Sequence, residues 1–466
     1  MTAYSQNLLT LLLLSLLCSC KNDKNKHDFT AFFGGEINNP TSRYVLFCKD
    51  SEVLDTIKIN DNNTFSIKFD SLTPGLYSFK HEPEYQYVYF DKNDSLMVSI
   101  NTKNFDESVV FSGRGDEKNN FLMELYLKNE EDRSKMFDVL DKNFKSFNKN
   151  IDSSYQSKTD FYNKKKELIK WSTDFDLYAK SALDFFYYSK KEVYPVVHKL
   201  RTGENIEASI PKNYFDYRNN IDFNNQKLTN FSPFVKYLTN MLNNVALSKQ
   251  KDASILDENT LDFNIQKLQI ADTLFKNQKI KNTIVNNIAF SYLLEDQNIQ
   301  NIQKFLETYR KISTDKSKQN EILKIGNNIQ TLTIGNQLPE VGLVDEKSNK
   351  VILEKVLTKK SVIFFWTDRL DSHMIAAHKK VMVLEKKYAN YQFIAVNVDD
   401  NQQKWCEQIG NNKFSNVKEF RCANFEILKE KWVINKIHRT IIVGKNGKIE
   451  NAFVSLFDAN FEKLLN

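Results

Sequence analysis

From Asp28 to about Phe111 apolar and polar residues alternate with a period of two, as in Phe65-Ser66-Ile67-Lys68-Phe69 and Leu96-Met97-Val98-Ser99-Ile100. Successive side chains of a strand point to opposite faces, so this alternation predicts half-buried β-strands. Turn-forming clusters cut it into short pieces at Asn38-Asn39-Pro40-Thr41, Asn60-Asp61-Asn62-Asn63 and Thr73-Pro74-Gly75. Short strands between such turns predict an antiparallel β-sandwich over residues 28–115. From Asp116 the period becomes 3.6. Phe137, Leu140, Phe144, Phe147 and Ile151 form one stripe; Trp171, Phe175, Tyr178, Ala182 and Phe185 form another; Ile302, Phe305, Tyr309 and Ile312 form a third. Such stripes predict amphipathic helices facing a core, so residues 116–328 read as a central helical domain. No repeat of fixed period supports a solenoid.

Past residue 328 buried-strand runs alternate with helices. The reading is a strand at Val362–Trp366, a helix at His373–Tyr388, a strand at Phe393–Val398, and helices at Trp405–Ile409 and Phe425–Trp432. A strand at Thr440–Val443 follows, then a hairpin turn at Asn446-Gly447 into Lys448–Val454, and a last helix at Phe461–Leu465. A βαβ unit followed by a hairpin predicts an α/β domain over 329–466. The expected fold class is therefore multidomain α+β.

Composition supports a globular, helix-rich chain. Of 466 residues 41% are hydrophobic and 13% aromatic, with only 12 Gly and 7 Pro. Few backbone breakers fit much helix. A net charge of +6 over this length is weak, and no Lys/Arg stripe is interleaved with aromatics, so nucleic-acid binding has no support.

The N-terminus points to a compartment. Leu8–Leu17 is an apolar run too short to span a bilayer and suited to a signal-peptide core. It ends in Leu17-Cys18-Ser19-Cys20, which resembles the lipobox of bacterial lipoproteins, with Ser19 preceding an acylated Cys20. No Lys or Arg precedes the run, a departure from the usual pattern. Residues 1–19 then read as signal peptide and 20–27, containing KNDKNK, as a tether. Lys21-Asn22 does not resemble the inner-membrane retention signal, so the expected site is the cell envelope, anchored by acylated Cys20 to the outer membrane. Cys48, Cys406 and Cys422 remain, which permits one disulfide at most.

Four motifs carry a wider resemblance. They are Gly335-x-x-x-Pro339, the strand ending in Phe365-Trp366, the VNVDD run Val396–Asp400 and the VGKNGKI run Val443–Ile449. In this order they resemble a TlpA-type periplasmic thioredoxin, the membrane-tethered thiol-disulfide reductases. The β segment, from FTAFFGGEI to VVFSGRG, resembles the N-terminal domain that precedes thioredoxin-like domains in lipoproteins of the Bacteroidetes. The resemblance implies a thioredoxin-like fold for the C-terminal domain. It also implies a Cys-x-x-Cys pair at the start of the first helix, where the helix dipole lowers the thiol pKa. Here Leu370 and His373 occupy those positions, and His438 occupies the position of the family's cis-proline. A cis bond before a non-proline residue costs about 2.5–4 kcal/mol, so a trans loop is expected there.

Three further constellations bear on function. His373 and His438, with Asp368 and Asp371 nearby in sequence, offer a metal site; the bland reading is a polar helix start capped by Asp371 or Ser372. His378 lies about 140° around the helix from His373 and does not join it. Cys406 and Cys422 offer a displaced redox pair, against a structural disulfide or buried thiols. Tyr85, Tyr87 and Tyr89 form a stripe that suits a sandwich core face or a binding face. Asp55-Thr56-Ile57, Asp70-Ser71-Leu72, Asp94-Ser95-Leu96 and Asp272-Thr273-Leu274 resemble an O-glycosylation sequon of exported Bacteroidetes proteins. The expected function is a binding or structural role in the envelope through a protein or peptide partner, with no cofactor. The alternative is a thiol-disulfide oxidoreductase or peroxiredoxin-like enzyme using Cys406 and Cys422.

Overall fold

The computed structural model describes residues 29–50, 52–249, 260–295, 299–412, 414, 417–458 and 460–466. The lipobox, with Cys18 and Cys20, lies outside the described residues. The chain forms two compact units. One comprises the described residues up to Phe215 with Asn230–Tyr237; the other comprises Asp216–Thr229 with Leu238–Asn466. The helices of the central stretch are thus divided between the units. The fold class is the expected one: N-terminal β-sheets, central helices and a C-terminal thioredoxin-like α/β domain.

The first unit opens with strands β1 (Ala31–Asn38), β2 (Tyr44–Lys49), β3 (Glu52–Lys58), β4 (Thr64–Phe69), β5 (Gly75–His81), β6 (Glu84–Phe90), β7 (Ser95–Asn101) and β8 (Val110–Arg114). They make two four-stranded sheets, ordered β4-β1-β7-β8 and β3-β2-β5-β6. Every neighbouring pair is antiparallel except β1–β7, which is parallel. Gly35 permits that pairing: a Cβ there would stand 2.1 Å from the Val98 carbonyl oxygen. Between the sheets Phe33 packs on Phe47, Phe65 and Phe79 with ring centroids 5.3–5.5 Å apart.

Unpaired strand edges need cover, because their N–H and C=O groups otherwise recruit other strands. Helix α1 (Asp116–Ser134) supplies it at one end of both sheets. The Asn119 side-chain amide pairs with the backbone N–H and C=O of Tyr89 on edge strand β6, at 2.7 and 2.9 Å. Asn120 does the same for Phe111 on edge strand β8, at 2.8 Å for each bond. Lys118, itself buried, reaches Asp94 at 2.6 Å and Asp91 at 3.2 Å. Three consecutive polar residues therefore dock this helix to the sandwich.

Helices α2 (Met136–Leu140), α3 (Phe144–Ile169) and α4 (Thr173–Thr202) follow. Asn143 and Ser172 cap α3 and α4, accepting from the amides of Ser146 and Phe175. These caps break two of the expected stripes. Phe137, on α2, is 63% exposed rather than core-facing, and Trp171 precedes α4. The tyrosine stripe is packed only at its far end: Tyr89 is buried and Tyr87 half-buried, whereas Tyr85 is 46% exposed. Tyr87 meets Phe231 and donates to the Asn230 carbonyl, and Tyr89 packs against Phe175.

Between α1, α3 and α4 one carboxylate faces two ammonium groups. Asp132 Oδ2 accepts from Lys158 at 2.6 Å, Lys190 at 2.5 Å and Ser154 at 2.5 Å. Both lysines are buried against the Phe186 ring. Two cations on one anion leave a buried excess of positive charge. Burial, with Lys158 beside it, pushes the Lys190 ammonium down to about 8 against the pull of Asp132. Despite its own burial, Asp132 is held down to about 2 by its bonds to the lysines and Ser154.

The second unit contains the rest of α5 (Ser232–Ser248), then α6 (Leu261–Leu274), α7 (Gln278–Glu295), α8 (Ile299–Ile312) and α9 (Lys316–Thr331). The α/β domain follows with β9 (Leu343–Val344), β10 (Lys350–Val351), β11 (Lys360–Trp366), α10 (Asp371–Lys387), β12 (Tyr391–Asn397) and α11 (Gln402–Asn412). Its last elements are β13 (Lys418–Cys422), α12 (Phe425–Trp432), β14 (Arg439–Val443) and β15 (Ile449–Ser455). The seven strands run in the order β10-β9-β13-β12-β11-β14-β15. β11, β12 and β13 are parallel, and β14 returns antiparallel beside β11. Strands β9 and β10 escaped the periodicity analysis because they are only two residues each. Helix α9 binds to α12 through Lys324–Glu430 at 2.7 Å and Asn328 Nδ2 donating to the Glu430 carbonyl at 3.0 Å.

The Asp132 cluster has a measurable pH signature. The unfolded chain keeps the Lys190 proton to about pH 10.5, whereas the folded chain releases it near 8. The unfolded state binds more protons in that window, so this group makes stability rise with pH across it. Denaturant unfolding of wild type and Lys190→Met should diverge in favour of wild type by roughly 2–3 kcal/mol between pH 7 and 10.5.

Candidate functional site

The site that the motifs mark lies where β11 runs into α10. Val362, Ile363, Phe364, Phe365 and Trp366 are all buried, because both faces of this central strand are covered. Val362, Phe364 and Trp366 join the core shared with α10 and α11, whereas Phe365 meets Trp432 of α12 on the opposite face. Beyond Trp366 the Asp399 carboxylate holds the turn. It accepts from Thr367 Oγ1 at 2.6 Å, from the Asp368 amide at 2.8 Å and from Asn397 Nδ2 at 2.9 Å. Lys404 pairs with Asp368 at 2.7 Å. The VNVDD run is thus a clamp on the loop that presents the helix start.

Helix α10 begins at Asp371, and its N-cap is Leu370, which makes no side-chain cap bond. The expected cap by Asp371 or Ser372 is therefore corrected: both stand inside the first turn. Leu370 is 48% exposed and cannot act as a nucleophile. His373 lies one turn in, its ring edge-on to Phe457 with centroids 5.6 Å apart. Both of its ring nitrogens are sealed from solvent and have no hydrogen-bond partner. Burial pushes its protonation to lower pH, and the imidazoles of His438 and His378 push the same way. His438 is exposed on the loop before β14, and its carbonyl accepts from the Leu456 amide at 3.3 Å. Among the described residues the cis peptide bond is Glu82–Pro83, so the bond before His438 is trans.

A residue that the motifs did not single out holds this loop. Arg439 is buried, and its guanidinium meets main-chain carbonyls. It donates to Ala452 at 2.8 and 2.9 Å and to Val433, and it lies over the Phe453 ring. Burial pushes this guanidinium down to about 9. The clamp ties both ends of the loop that a proline would otherwise stiffen. A charged residue opening a buried strand was the available signal.

A second buried network lies under α10. His378 Nδ1 faces the Met374 carbonyl at 2.7 Å, and Nε2 faces Glu419 Oε1 at 2.9 Å. Trp366 Nε1 donates to the other Glu419 oxygen at 3.1 Å. A carbonyl only accepts, so Nδ1 carries a proton and one more is shared between Nε2 and the carboxyl. The pair is neutral as a whole and every polar atom is satisfied. His378 thus belongs to the core, with Phe414 stacked on its ring at 3.6 Å.

Cys406 and Cys422 are not brought together. On β13 Glu419 and Arg421 point toward α10 and α11, through His378 and Gln402 respectively. Strand alternation sends Cys422 to the other face. Cys406 packs on the α10–α11 side. Both cysteines are free, and burial raises the Cys422 thiol to about 12 and also raises Cys406. Among the described residues no group of three or more His, Cys, Asp or Glu is arranged to hold a metal.

Comparison with known proteins agrees with this architecture. Residues 358–449 match a family profile described as thioredoxin-like. The chain resembles a candidate thiol-disulfide oxidoreductase of Bacteroides vulgatus at 22% identity and a TM-score of 0.27, covering 29% of this chain and 96% of that one. It also resembles a domain of a candidate thiol-disulfide isomerase of Cytophaga hutchinsonii at 18% identity and a TM-score of 0.26, covering 28% and 90%. No curated protein matches the sequence. The C-terminal part is thus thioredoxin-like in fold.

Removing one member of the buried network should expose its cost. Glu419→Ala leaves His378 and Trp366 without an acceptor and should destabilise by about 3–5 kcal/mol in denaturant unfolding. Glu419→Leu combined with His378→Phe should cost less than the two single changes summed, because neither member of the His378–Glu419 pair is left facing a missing partner, although Trp366 still loses its acceptor.

Proposed function

We propose that this protein is an envelope lipoprotein whose thioredoxin-like domain binds a protein or peptide partner without thiol-disulfide exchange. The observation that carries this reading is Leu370 at the start of α10, where dithiol chemistry needs a thiolate. His373 stands one turn in, so neither dithiol position can form a disulfide. Cys406 and Cys422 do not substitute for that pair: they lie on opposite faces of the sheet, and burial disfavours both thiolates. What the pole offers is a surface. Leu370 and Phe457 (48% and 42% exposed) stand with the exposed His438, on loops held by Asp399 and Arg439. Exposed apolar side chains on a rigid frame suit contact with an extended chain.

Anchoring is the second part of the proposal. The segment Leu17-Cys18-Ser19-Cys20 supports acylation at Cys20 and attachment to the outer membrane. No helix among the described residues is long and apolar enough to cross a membrane.

Two measurements decide these points. Purified protein should reduce insulin no faster than a Cys406→Ser/Cys422→Ser variant, and thiol trapping in cells should find both cysteines reduced and free of mixed disulfides. Faster reduction by wild type, or a trapped mixed disulfide, would establish the oxidoreductase alternative instead. For the anchor, Cys20→Ser should move the protein from the membrane to the soluble fraction. Unchanged membrane retention would remove the lipoprotein reading.

A further inference from the structure

Helix α10 is apolar on two sides, and the sheet uses one of them. Met374, Ala377, Val381 and Leu384 face the core beneath the helix. A surface helix ordinarily keeps its opposite face polar. Here the exposed positions past Asp371 include Ile375, Met382 and Val383, the last 65% exposed, and their exposed neighbours are Lys379, Lys386 and Lys387. No carboxylate is exposed on the helix beyond Asp371. The chain carries 65 Lys and Arg against 59 Asp and Glu, so composition does not explain a face with one sign of charge. On a helical projection Ile375, Lys379, Met382, Val383 and Lys386 fall within about 100° of arc, over a length of about 16 Å. Lys387 is paired with Glu462, whereas Lys379 and Lys386 have no ion-pair partner among the described residues. Glu385 is partly buried and lies outside that arc.

We propose that this face of α10 lies on an anionic lipid surface, with Ile375, Met382 and Val383 at the boundary of headgroups and acyl chains and the lysines on the phosphates. The unpaired charge of the face is positive, which complements anionic headgroups. Lys379 stands in the middle of the apolar stripe, and that position favours lipid over protein. Interfaces between proteins deplete lysine at their core, whereas at a bilayer the lysine stem lies along the apolar level and its ammonium reaches the headgroups. The face is also the convex ridge of a single helix, a shape that enters a lipid boundary without needing a matching pocket. The inference concerns which surface of the α/β domain meets the membrane, and it holds with or without acylation at Cys20.

The test is flotation of the full chain carrying Cys20→Ser, so that no acyl group contributes. It is run with vesicles of equimolar phosphatidylglycerol and phosphatidylcholine and with vesicles of phosphatidylcholine alone. The protein should float with the anionic vesicles, leave them as salt rises, and stay behind with the neutral ones. A lysine at such a surface is worth roughly fivefold in affinity, so adding Lys379→Gln/Lys386→Gln should weaken binding about 25-fold. Adding Met382→Ser/Val383→Ser should weaken it about tenfold and keep the salt dependence. All four positions are exposed, so both variants should keep the parent melting curve. Equal binding to the two kinds of vesicle, or undiminished binding by either variant, overturns the proposal. So does an absence of vesicle binding with capture of an acidic protein by the parent and not by the lysine variant, which assigns the face to a protein partner. The tested chain lacks the acylated cysteine, so failure here leaves the Cys20 reading standing, and failure of acylation leaves this one standing.

Discussion

Strand β11 is buried on both faces, and the site inherits its geometry from that constraint. Lipid-like side chains at Val362, Ile363, Phe364, Phe365 and Trp366 must be covered from two directions. The chain meets this with α10 and α11 on one face and α12 on the other; the α10 crossover makes β12 a parallel partner, and β14 pairs antiparallel on the other side. Once β11 is central, its C-terminal end is where the turn to α10 must emerge. The Asp399 carboxylate, oriented by Asn397, then fixes that turn through two hydrogen bonds, placing Leu370 at the mouth and His373 in the first helical turn.

The dithiol positions and the proline position differ together, and the structure makes physical sense of that. Without a proline, the loop before β14 needs another restraint, and Arg439 supplies one by reaching carbonyls on both sides of it. The restraint is costly, since a guanidinium is buried with main-chain dipoles as its partners. The loop is therefore held in place by side-chain bonds to main-chain carbonyls. Beneath it, Glu419, His378 and Trp366 form a satisfied network that locks α10 against the sheet.

In the first unit the same logic works through polar residues. Asn119 and Asn120 close one edge of each sheet by imitating a neighbouring strand, and Lys118 bridges two aspartates beside them. The elements that pack there also cover Tyr87 and Tyr89 of β6, while Tyr85 at the start of the strand stays exposed. The Asp132 cluster shows the cost of such packing: two ammonium groups share one carboxylate.

The sequence alone determined the succession of strands, helices and mixed α/β elements, because burial imposes periods of 2 and 3.6 on the order of side chains. It also determined what stands at the helix start, since identity at Leu370 and His373 needs no coordinates. Element ends were less legible. Phe137 and Trp171 fell into stripes that capping residues interrupt, and β9 and β10, two residues each, are too short to show a period. Only the tertiary structure decided which distant residues meet. Cys406 and Cys422 are compatible in spacing, yet strand alternation places them on opposite faces. Glu419 meets His378, and Arg439 meets Val433 and Ala452, across folds in the chain that no local pattern encodes. Local patterns record burial; pairing over long separations is set by packing.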